Sequence, residues 1–116
     1  MYAVDRMVAL IRPKQAMLDW VNSLPDNEFD LTLEQLCADC TCILVPEFGE
    51  IEDAINYIDD IYDRLFAMEL VSWHEDEALW PKERSLKTFW EWFDVEVHST
   101  LVDTVDADLQ NHPLNA

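Results

Sequence analysis

Glycine is almost absent: Gly49 is the only one in 116 residues. That excludes the P-loop and the dinucleotide fingerprint, which need several glycines to bring backbone close to phosphate. It equally excludes the G-x-S-x-G turn of α/β-hydrolases. Basic residues are scarce, with 7 Lys and Arg against 25 Asp and Glu and a formal net charge of -18. Binding to nucleic acid or anionic membrane depends on Lys and Arg displacing counterions, so neither is an expected direct partner. Such a surface attracts basic proteins or cations, and it also serves plain solubility. No stretch approaches the ~18 uninterrupted apolar residues of a membrane span. The opening MYAVDRMVALIRPK carries Asp5 and Arg6 inside its apolar run and no small-residue cleavage site, so no secretion signal is expected. The three cysteines, Cys37, Cys40 and Cys42, suit reduced thiols in the cytosol. A cytoplasmic protein without a cofactor is the expectation.

What the chain does contain builds a core. Half the residues are hydrophobic and 11% aromatic, with five Trp, which is too apolar for a disordered acidic tail. A chain of this length buries roughly two-thirds of its unfolded surface and folds without disulfide or metal. One domain over residues 1–104 with a polar tail over 105–116 is expected.

Hydrophobic periodicity predicts the elements. Val4 and the run Met7 to Ile11 read as a largely buried strand over about Ala3–Ile11. Pro13 is placed in the first turn of a helix whose face is Met17, Trp20, Val21 and Leu24. The segment Asn22 to Asn27 stops it. A short helix follows from Thr32 to Cys37, with Thr32 as N-cap and Glu34 and Gln35 in its first turn. Thr41 to Val45, closed by Pro46, reads as the second strand. The longest helix spans about Glu50 to Val71, with Ile51, Ala54, Ile55, Ile58, Ile61, Tyr62, Leu65 and Met68 on its apolar stripe. Ser85 caps a helix carrying Leu86, Phe89, Trp90 and Phe93 at one face. Asp94 to Asp103 reads as the last strand, Val95, Val97 and Leu101 alternating with Glu96, His98 and Thr100. The fold class is therefore α/β in the two-layer α+β sense: a small three-stranded sheet with about four helices packed mainly on one face. Strand order and direction stay open.

Several residue patterns bear on chemistry. Cys37-Ala38-Asp39-Cys40 matches C-x-x-C, but a redox motif wants its first Cys at a helix N-terminus, and this one enters a strand from a helix end. A zinc site needs a fourth ligand, for which His74 and His98 are the candidates. Small buried thiols are the favoured reading. Asp59-Asp60-Ile61-Tyr62-Asp63 resembles the D-D-x-x-D metal motif of prenyl-diphosphate synthases over five residues. In a helix face as acidic as Glu52, Asp53, Asp59, Asp60 and Asp63, a solvated surface is favoured over metal binding. Arg12, Pro13 and Lys14 lie where a strand hands over to a helix and offer an anion site, against pairing with the surplus acids. His98 shares a strand face with Glu96, and Trp92 lies about 120° from its helix's apolar stripe at about 100° per residue. An exposed Trp is a typical interface anchor, and the alternative places Trp92 under the loop around Trp80.

The segments Ile11-Arg12-Pro13-Lys14, Leu18 to Leu24, Val45-Pro46-Glu47, Leu79-Trp80-Pro81 and Trp92 to Ser99 resemble a family of small bacterial proteins with no assigned activity. Some of these carry the label VacJ, the name of an outer-membrane lipid-transport lipoprotein. No signal peptide or lipidated cysteine stands near the start of this sequence, so that function does not carry over. The resemblance implies a bacterial cytosolic protein without assigned catalytic residues.

The leading expectation is a non-enzymatic protein-binding or regulatory module. Its binding residues are expected to be Arg12, Lys14, Trp80, Arg84, Trp92 and His98, gathered near one edge of the sheet. One alternative is a nucleic-acid mimic, since the carboxylates of Glu52, Asp53, Asp59, Asp60 and Asp63 lie about 6 Å apart. Another is a small enzyme or ligand-binding protein using Arg12, Arg84 and His98.

Overall fold

Residues alternate along Arg6–Pro13, strand β2: Met7, Ala9 and Ile11 are buried, while Val8, Leu10 and Arg12 on the other face are only partly covered. That alternation marks a sheet with one face on the core and one toward water. The computed structural model describes residues 1–25, 27, 28 and 30–114. Asp26 of the predicted helix stop and the last two residues of the predicted tail lie outside the described residues.

Strand β2 is central. Both β3, Thr41–Pro46, and β4, Phe93–His98, pair with it antiparallel, giving the order β3-β2-β4. Val45 sits opposite Met7, and Val97 and Val95 sit opposite Ala9 and Ile11, so all three strands send apolar side chains to one face. The four helices among the described residues are α1, Gln15–Ser23; α2, Leu33–Cys37; α3, Ile51–Trp73; and α4, Leu86–Trp92. They supply the rest of one core with Met17, Trp20, Val21, Leu36, Ala54, Ile58, Leu65, Phe66, Leu70 and Phe89. The result is the expected mixed α+β fold with its helices on one face of a three-stranded sheet.

Side-chain caps fix the starts of α2 and α4. Thr32 and Gln35 form a reciprocal capping box for α2, and the Ser85 hydroxyl accepts from the Thr88 N–H to start α4. At the centre, Phe66, Phe89 and Phe93 meet with ring centroids 5.2 to 5.9 Å apart, and all three are essentially fully buried. Each such ring contributes roughly 1.5–3 kcal/mol by burial.

Five expectations are corrected. The first strand is broken: β1 is Tyr2–Ala3, and Asp5 separates it from β2. The last strand breaks in the same place, and its second piece, β5, Val102–Asp103, pairs with β1. Val4 to Met7 on one side face Ser99 to Leu101 on the other, one residue more, so the ladder slips by one across a bulge. Pro13 is not helical. It ends β2 opposite Phe93, Lys14 is the N-cap of α1, and the Pro13 carbonyl accepts from Cys37 Sγ at 3.3 Å. Phe93, expected on a helix face, opens β4, because an extended residue there reaches the same core with its chain already in the sheet. Cys42 is exposed, since its register opposite Leu10 points it away from the helices, while Cys37 and Cys40 are half-buried. Gly49 has open space around its Cα and no positive φ, in keeping with a chain that has no positive-φ residue among those described.

Candidate functional site

The structure divides the predicted binding residues among separate contacts. Arg12 and His98 converge. Arg12 donates from Nε to Glu96 Oε2 at 2.8 Å and lies 2.7 Å from the same oxygen through Nη2, and His98 Nε2 is 3.1 Å from Glu96 Oε1. These three side chains lie on the outer face of neighbouring strands. Hydrogen bonding to Arg12, then to His98, holds the Glu96 carboxyl below its usual range, and the same bond raises Arg12. Arg84 makes different contacts: its guanidinium carbon stands 5.6 Å from the Trp80 ring centroid, and Nη1 donates to the Pro81 carbonyl at 2.7 Å. Trp80 donates its indole N–H to His74 O at 2.8 Å. Lys14 Nζ reaches Trp90 O at 3.0 Å. Trp92 is half-buried against Phe66 and Trp20, with centroids 5.5 and 6.2 Å away, so it packs between α1 and α3.

The acidic stripe on α3 is also divided. Glu52, Asp53, Asp60 and Asp63 are exposed, but Asp59 is half-buried and accepts from Trp90 Nε1 at 2.8 Å. One of the five carboxylates therefore ties α4 to α3. Among the described residues no group of three or more His, Cys, Asp or Glu is arranged to hold a metal ion.

Two further features were not anticipated. The first is the outer face of the sheet. Val8, Leu10, Cys42, Leu44 and Pro46 place an apolar patch across β2 and β3, beside the Arg12–Glu96–His98 cluster on β2 and β4. Leu44 is 47% exposed in the middle of its strand. The period-2 pattern held this signal, because the residues between the buried ones are themselves apolar.

The second is a cavity of about 210 Å³ where the last turn of α3 meets the start of β3. Glu69 projects into the molecule there; its Oε1 is buried and has no hydrogen-bond partner. Burial holds its carboxyl above the usual range, and a hydrogen bond from Thr41 opposes the shift. The spacing carries the signal: Glu69 follows Leu65 by four residues and Tyr62 by seven, so a carboxylate occupies a position on the apolar stripe. Asp39, Cys40 and Trp73 stand around the opening, and Ile11, Met17 and Leu36 form the apolar floor. A larger groove, about 740 Å³, runs along another side of α3 between Tyr57, Met68, Trp80 and the tail residue Leu114.

Among the described residues no helix is long and apolar enough to cross a membrane. No family model matches the chain, and no curated protein or solved structure matches it.

Proposed function

We propose that the chain is a non-enzymatic protein-binding domain of the bacterial cytosol that meets its partner on the open face of the three-stranded sheet. The observation that carries this reading is the exposed apolar patch of Leu44, Leu10 and Val8 bordered by Arg12, Glu96 and His98. Interfaces between proteins combine a desolvating apolar centre with a polar rim. The Arg12 fork is already held in place by Glu96, which lowers the entropy cost of using its remaining donors. With a net charge of -18, the partner is a protein with a basic surface around its contact patch.

A second reading rests on a different observation. Glu52, Asp53, Asp60 and Asp63 lie exposed along α3, and none of them is engaged by a basic side chain among the described residues. Four carboxylates in a line suit a nucleic-acid mimic that occupies a basic groove of its partner.

Affinity capture from the source organism's extract separates the two. Leu44→Asp removes the captured partner if the open face binds it, and neutralising Glu52, Asp53, Asp60 and Asp63 together leaves capture intact. The reverse pattern establishes the mimic. Capture that survives both sets of substitutions refutes both readings.

A further inference from the structure

We infer that the Glu69 cavity is a binding site for a single alkyl-guanidinium or alkyl-ammonium group. Four independent features converge on a monovalent organic cation. The first is Glu69, which lines the cavity and whose buried Oε1 has no hydrogen-bond partner. Buried acceptors are almost always hydrogen-bonded, so an orphan on a cavity-lining side chain points to a missing donor. The second is α3 itself. Glu69 and Trp73 lie in the last turn of a 23-residue helix, where the aligned peptide dipoles concentrate partial negative charge, and no basic residue of that turn offsets it. The third is Asp39, an exposed carboxylate at the rim, placed to attract a cation before it enters. The fourth is the indole of Trp73, 42% exposed beside the opening, a ring face suited to a guanidinium or ammonium.

Size and lining narrow the class further. A cavity of about 210 Å³ is many times what one water requires, and it accommodates a charged head with part of an alkyl stem. Ile11 and Met17 are apolar partners for such a stem, while the head meets Glu69. A metal ion fits less well, because no cluster of three ligating side chains forms here. An anion meets the carboxylates of Glu69 and Asp39 and no basic side chain in the lining. The same chemistry has two sources, a free small cation or an arginine or lysine side chain presented by a partner protein. This inference stands apart from the open-face reading, since the cavity lies on the helix side of the sheet.

The test uses butylguanidinium as the probe, its neutral isostere butylurea as the control, and amide chemical shifts as the readout. Butylguanidinium is expected to give saturable shifts confined to residues 39–41 and 69–73, with a Kd on the order of 1 mM for so small a ligand. Butylurea is expected to give none. Glu69→Gln should weaken binding at least tenfold, and Asp39→Asn, at an exposed position that leaves the fold intact, should weaken it severalfold. Neutralising Glu52, Asp53, Asp60 and Asp63 should leave it unchanged. A second arm titrates the blocked tripeptide Gly-Arg-Gly. Binding equal to that of butylguanidinium assigns the site to a partner's side chain, and exclusion of the peptide assigns it to a free cation. Shifts that spread along α3, fail to saturate or persist in Glu69→Gln mean counterion condensation and overturn the inference. Equal binding of butylurea, or no binding at all, overturns it as well.

Discussion

The indole of Trp90 donates to Asp59 Oδ1 across 2.8 Å, joining α4 to α3 through a carboxylate that the sequence groups with solvent-facing acids. Asp59→Leu removes the acceptor and strands a half-buried N–H, at a cost of about 1–2 kcal/mol. Asp60→Asn and Asp63→Asn remove like charges from an exposed face and should leave stability within about 0.5 kcal/mol of the parent or above it. Urea melts at pH 7 of the three single variants check this. Equal losses at positions 59 and 60 would show that the Trp90 contact contributes nothing.

Trp92 is half-buried and packs on Phe66 and Trp20 at the edge of the core. Trp92→Ala should cost about 3 kcal/mol through the void it leaves. Arg84→Ala, which removes a stacked but exposed cation, should cost under about 1 kcal/mol. Denaturant melts of both variants decide the point, and a Trp92 variant as stable as the parent would return that ring to the surface.

The fold was legible where one face of an element is apolar. The stripe from Ile51 to Met68, the alternation in β2 and the hydroxyl caps Thr32 and Ser85 all lead to the observed elements within a few residues. The strand breaks were not legible, because β1 and β5 are two residues each, too short for an alternation to register. The candidate sites were legible in part. Arg12 and His98 do meet, through Glu96, because register on adjacent strands brings them together, and register is not contained in spacing along one strand. Glu69 was overlooked for the opposite reason. Its position on the stripe is plain, but a search for clusters of chemical groups passes over a lone acid among apolar residues.

Glu96 makes a prediction about acid. Arg12 and His98 hold its carboxyl below the usual value, so the folded chain binds that proton less tightly than the unfolded chain. The resulting stability is fully present above the unfolded value near about 4.3 and is lost as pH falls through the lower folded value. Glu96→Gln should therefore melt below the parent at pH 7, with the difference shrinking once the pH drops under about 4. All three side chains are exposed, so the effect should be small and reduced further by salt. A difference independent of pH would mean that packing, not charge, links the three residues.

Glu69 has the opposite sign. Burial raises its carboxyl, with Thr41 opposing, so the folded chain holds the proton more tightly than the unfolded chain. The group imposes no ionisation penalty below the unfolded value near about 4.3, and the full penalty appears above the raised folded value. Glu69→Leu places an apolar side chain on the stripe and removes the orphaned oxygen. It should stabilise the domain at pH 7 by about 1–3 kcal/mol, with a smaller gain below about pH 4. Glu69→Gln keeps a polar group in the cavity and should gain less. Melts of the parent and both variants across pH 3 to 8, roughly spanning the carboxyl range, provide the check. If Leu destabilises at every pH, the carboxylate is a structural partner of Thr41 and the cavity is incidental to it. If Leu stabilises and also abolishes butylguanidinium binding, the chain retains at position 69 a residue that weakens its own fold. That combination is characteristic of a group maintained for what it binds.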